Sequence, residues 1–149
     1  MSEPEQEFTE HEISDQTIQL SQKHAKISFK HGKSVEKMGE VLQKRGKDGG
    51  KLIEERGKEI QEHAQASLKH AQDAEHQHGN EATQSYNSAA QEHVKQVQAH
   101  IQANKEYSKI LNEQIEQAQT VLEKSSDFLE SRSPSIDDQL PVKKSRKSL

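Results

Sequence analysis

The chain has 149 residues, a net charge of −4, no cysteine or tryptophan, 28% hydrophobic residues and 3% aromatics. Ordinary domains are close to half apolar, so a thick globular core is excluded and only thin architectures, such as a two- or three-helix seam, can be filled. The missing cysteines exclude disulfides and cysteine-based zinc sites, and no apolar run reaches the ~20 residues that span a bilayer.

The charge is unevenly spread. Residues 1–20 carry six acids and no Lys or Arg, whereas residues 21–58 carry eleven bases against five acids. Residues 59–140 are acidic again, and the last nine residues hold four bases. Blocks of alternating sign predict that segments attract one another, within a chain or between chains.

In chain order, residues 1–9 read as a disordered acidic arm with no secretory leader pattern, so an intracellular, soluble protein is expected. Helical periodicity then begins. Ile13, Thr17, Leu20, His24, Ile27, His31, Ser34, Met38 and Val41 recur at alternating steps of three and four, the pattern of a heptad seam on one side of a helix. Lys23, Lys30, Lys37, Lys44, Lys51 and Lys58 repeat every seven residues at the g position beside it. Gly32, Gly39 and Gly46 repeat at b, with Gly50 and Gly57 at the same interval after a shift of four. Each glycine inside a helix costs roughly 1 kcal/mol relative to alanine, so a weak helix is predicted here unless it is packed. The run Arg45–Gly50 is the expected break. Beyond it the apolar stripe shifts by one position, to Ile53, Ile60, Ala64, Ser67 and Ala71. Gly79-Asn80 marks the next break.

The strongest stripe follows. Val94, Ile101, Ser108, Ile115, Leu122 and Leu129 occupy a, and Ala90, Val97, Asn104, Leu111, Ala118 and Ser125 occupy d. Such a seam is buried only against another helix. The polar Asn104 and Ser108 interrupt it, either as residues that fix register or as polar residues that the seam tolerates. The predicted helices span about 10–47, 51–78 and 81–131. The fold class is all-α: an elongated helical hairpin or a two- or three-helix coiled-coil bundle with disordered tails.

Residues 132–149 read as a disordered basic tail. Lys143, Lys144, Arg146 and Lys147 follow Pro141 and resemble a monopartite nuclear localisation signal, so nuclear and cytoplasmic placement are both expected readings.

Chemistry-bearing motifs are few. The nine histidines include three pairs seven apart: His24/His31, His63/His70 and His93/His100. Two helical turns separate each pair by roughly 10 Å, too far for one metal ion. Histidine at a positions predicts association that weakens when the rings protonate. Asp73 with His76, and Glu75 with His78, have the spacing of helical ligand pairs but lack a third ligand. There is no nucleophile triad context, phosphate loop or dinucleotide fingerprint. No catalytic residue, metal or cofactor is therefore expected, and no small-molecule substrate.

The expected function is a non-enzymatic coiled-coil interaction or scaffold protein that self-associates or joins a helical complex. Val94, Val97, Ile101, Leu111, Ile115, Leu122 and Leu129 are the expected contact residues. Two other readings stand beside it. The hydrophilic composition is similar to that of late-embryogenesis proteins, a resemblance that implies a stress-protective chain largely disordered when free. The basic segment 23–58 would suit a nucleic acid or an anionic membrane surface, although acidic net charge and scarce aromatics oppose this.

Overall fold

The computed structural model describes the backbone of residues 13–139 and the side chains of residues 13–131. The acidic arm and Lys143, Lys144, Arg146 and Lys147 lie outside the described residues. The described chain is all-helical, with three helices in sequence: α1 (Asp15–Lys44), α2 (Gly50–Glu75) and α3 (Gly79–Gln139). Helix α3 continues through Pro134 to Gln139, past the point where the sequence predicts the tail to begin. The chain divides into two compact units, one ending at Ile110 and the other beginning at Leu111.

Local chemistry sets the ends of α1. Ser14, in extended geometry, accepts a hydrogen bond at its Oγ from the Thr17 amide at 3.1 Å, and Asp15 lies in the positive first turn. At the other end the Lys47 amide donates to Leu42 O and the Gly46 amide to Gln43 O, both at 2.9 Å. This pattern requires a left-handed residue after the helix, and Gly46 supplies it at φ +71°. Gly49, also left-handed, then leads directly into α2.

Each helix of the first unit buries rows of residues spaced by seven, and these are mostly small. In α1 one row is Ile18, Ala25, Gly32 and Gly39, and the other is Ser28, Val35 and Leu42. In α2 the rows are Gly50, Gly57, Ala64 and Ala71, and Ile53, Ile60, Ser67 and Ala74. In α3 they are Ala82, Ala89, Gln96, Ala103 and Ile110, with Ala99 beside them. Ile53, Ile60 and Ile110 are the largest fully buried side chains, and Val35, Leu42, Ala99 and Ala103 join them in one cluster under Tyr107.

The glycines that weaken α1 as an isolated helix are what bring it against α2. A Cβ at Gly39 would lie 2.6 Å from both Glu54 Cα and Gly50 O, and one at Gly57 would lie 2.6 Å from Glu36 Cα. The two backbones touch, and nothing larger than hydrogen fits between them. A reciprocal pair of glutamines closes the same seam. Gln43 Nε2 donates to its own helix at Gly39 O (3.3 Å) and across to Glu54 Oε1 (2.5 Å). Gln61 Nε2 donates to Gly57 O (3.2 Å) and across to Glu36 Oε1 (2.6 Å). Near the far end, Gln22 Nε2 donates to Glu75 Oε1 at 2.9 Å. These pairings run in opposite sequence directions, so α1 and α2 are antiparallel.

Gln96 is the exception among the buried rows. It is 3% exposed, and its Oε1 has no hydrogen-bond partner among the described residues. An unpaired buried amide oxygen costs about 1–3 kcal/mol. Gln96→Leu, similar in volume, is therefore expected to stabilise the protein by about 1 kcal/mol, read as a higher urea midpoint with an unchanged slope.

Candidate interaction surface

The seam residues predicted from sequence lie outside the core. Val94, Val97 and Ile101 in the first unit are exposed, and so are Leu111, Ile115, Leu122 and Leu129 in the second, with values from 39% at Val97 to 68% at Leu122. Their counterparts on α1 (Leu20, Ile27 and Met38) are exposed as well. Asn104 and Ser108 are exposed on the same stripe. In contrast, Ile53, Ile60, Ala64, Ser67 and Ala71 of the shifted stripe are all buried. The chain thus carries two heptad systems. One, built of small residues with a few large ones such as Val35, Leu42, Ile53, Ile60 and Ile110, is buried between the three helices. The other, built of larger aliphatic residues, faces solvent.

The second system dominates the sequence pattern because it holds the bulkier side chains. The first had its own signal: small residues at strict seven-residue spacing on every helix, and Gly-x-x-x-Gln at both 39–43 and 57–61. Close backbone approach explains the sorting. Helices drawn together by glycine, alanine and serine leave room between them for few bulky side chains, and Ile53, Ile60 and Ile110 occupy it in place of Val94 or Ile101.

Helices α1 and α3 meet side by side through histidine. The His24 and His93 rings are 6.4 Å apart between centroids and nearly parallel, and His31 and His100 are 6.1 Å apart edge to face. Two of the seven-residue histidine spacings therefore interlock across helices instead of acting along one, and α1 and α3 run parallel. His24 and His31 sit at this exposed boundary and not in a buried seam. Above the first pair lies a hollow of about 300 Å³ lined by Leu20, His24, Tyr86, Ala90, His93 and Val94.

Helix α2 is tied to α3 by a polar cluster. His63 Nδ1 lies 2.7 Å from Glu92 Oε1, Lys95 Nζ lies 3.4 Å from Glu92 Oε2, and Ser67 Oγ donates to Ala89 O at 2.9 Å. The hydrogen bond from His63, outweighing partial burial and helped by Lys95, holds the Glu92 carboxyl below its ordinary value of 4.5. A carboxylate with a depressed folded pKa contributes stability that is present above its unfolded pKa and is lost as pH falls through the folded one. Accordingly, the urea midpoint of the native protein should fall more steeply between about pH 5 and pH 3 than that of Glu92→Gln. Parallel titration curves for the two proteins would contradict this role.

All six lysines of the seven-residue stripe are exposed. Lys58 alone of these has a recorded ion pair, with Glu54 at 3.7 Å, a contact of small energetic weight at a surface. Among the described residues one group of three potential metal ligands comes together, Glu36, Glu40 and Glu54. Gln61 and Gln43 already donate to two of these carboxylates. In the pairs read from sequence, Asp73 faces Lys69 at 3.4 Å and Glu75 accepts from Gln22. No helix among the described residues is long and apolar enough to cross a membrane.

No protein-family model matches the sequence, and comparisons with curated proteins and with solved structures found no match either.

Proposed function

We propose that this protein is a non-enzymatic helical interaction module that assembles with further copies of itself, or with another helical protein, through the exposed a/d stripe. The observation that carries this reading is the sorting of apolar residues. Rows of alanine and glycine, with Ile18, Val35, Leu42, Ile53, Ile60 and Ile110 among them, fill the inside, while Val94, Val97, Ile101, Leu111, Ile115, Leu122 and Leu129 stand exposed. Leaving such aliphatic side chains uncovered forgoes roughly 1.5–3 kcal/mol each, and exposed rows of them in each unit mark contact surfaces. Coiled-coil packing of that stripe against a second chain recovers the difference.

Co-expression of two copies carrying different affinity tags tests the self-associating form. Each tag should retain the other copy, and Ile115→Asp on both should release it. Retention unaffected by both Ile101→Asp and Ile115→Asp would reject the stripe, and no retention at tens of micromolar would reject self-association.

A second reading draws on the exposure of Lys23, Lys30, Lys37, Lys44, Lys51 and Lys58. Contact with a polyanion through these groups would weaken steeply with salt.

A further inference from the structure

Resting on the self-association reading, we infer that residues 111–129 form the assembly surface and pack against the same segment of at least two further copies. Every residue from 111 to 131 is exposed, including Leu111, Ile115, Val121, Leu122, Phe128 and Leu129. With Ile115 and Leu122 at a, the charged residues of this stretch have a common placement. Glu113, Glu116, Glu123, Lys124, Asp127 and Glu130 all fall at b, c or f, on the side away from the stripe.

The flanking positions identify the occupant. Charges at e and g select partner and orientation in helical assemblies. Here e holds Asn112, Gln119 and Ser126, and g holds Gln114, Val121 and Phe128. A charged foreign helix would find nothing to pair with along these edges. An identical helix meets no like charge there, and the acids remain in water on the outer surface.

The width of the stripe sets the number of strands. A strict a/d seam is the narrow surface that faces one partner, whereas apolar residues at a, d and g make a face wide enough for two neighbours. Val121, 62% exposed at g, supplies that third edge, with Phe128 one heptad on. Leu122 and Leu129 put leucine at a in two of the three heptads, where β-branched residues would favour two strands, while Ile115 at a with Leu111 at d keeps that preference in the first.

Sedimentation equilibrium of the full chain tests this. The native protein should sediment at three or more times its 16.9 kDa chain mass. Val121→Lys, a substitution at an exposed position that leaves the folded unit intact, should weaken association roughly tenfold or more and reduce the species to dimer or monomer. Glu116→Lys at the outer b position should change nothing. A native dimer whose mass is unaltered by Val121→Lys would overturn the inference and leave self-association standing. Association abolished by Ile101→Asp but insensitive to Val121→Lys would place the surface in the first unit and equally overturn it. A native monomer would overturn both readings.

Discussion

Alanine at Gly39 and Gly57 together is expected to lower the unfolding free energy by about 2–3 kcal/mol, although the same change stabilises an isolated helix. Helix propensity favours each substitution by roughly 1 kcal/mol. Opposing this, each new methyl would overlap peptide backbone: Glu54 and Gly50 at one site, Glu36 and Gly32 at the other. A flexible side chain could swing aside, but a helical backbone cannot. The helices must separate, and the Gln43–Glu54 and Gln61–Glu36 hydrogen bonds lengthen with them. Overpacking costs about 1–3 kcal/mol per site, and here two sites share one interface, so sterics outweigh propensity. Gly46→Ala is the instructive control. A Cβ there meets nothing within 4 Å, so its cost is the left-handed backbone alone, about 1 kcal/mol. Denaturant unfolding of the three proteins checks the order. A double variant as stable as the native chain would show that α1 and α2 are not in backbone contact.

The second large effect concerns association. Ile101→Asp combined with Ile115→Asp is expected to abolish assembly while leaving helicity and the unfolding midpoint of the single chain unchanged. Both residues are about half exposed, 46% and 55%, so neither supports the core. If each isoleucine is covered by a partner, its loss removes roughly 2 kcal/mol, and the aspartate adds the cost of desolvating a charge. Two sites together weaken association by about a thousandfold or more. Light scattering read beside circular dichroism separates the outcomes. Loss of helicity would make these core residues, and an unchanged mass would remove them from any interface.

The two substitutions probe different heptad systems, and the sequence made these systems unequally legible. Helical class, the break at Arg45–Gly50 and the break near Gly79 follow from periodicity and from glycine placement. The buried face of α2 was legible too, because Ile53 and Ile60 are both bulky and inside. Along much of α1 and α3 bulk and burial part company, although Ile18, Val35, Leu42 and Ile110 are both bulky and inside. Val94 and Ile101 outrank Ala89, Gln96 and Ala103 on any hydrophobicity scale, yet the latter three are buried. The deciding quantity is how closely two backbones approach, which depends on the glycine and alanine rows of both helices at once. A single row, read as a cost to helix formation, does not reveal the partner row that offsets it. The histidines carry the same lesson, since seven-residue spacing along a helix brings His24 to His93 and His31 to His100 only once α1 and α3 are adjacent.

The large exposed aliphatic residues are expected to serve contacts between chains, while the glycine and alanine rows and the cluster around Ile53, Ile60 and Ile110 serve contacts within one. Absolute mass by light scattering across a concentration series, on one helical sample of the full chain, tests it most directly. The account predicts a mass that rises with concentration to a multiple of 16.9 kDa. A helical species that stays at 16.9 kDa at every concentration would contradict self-association through the stripe.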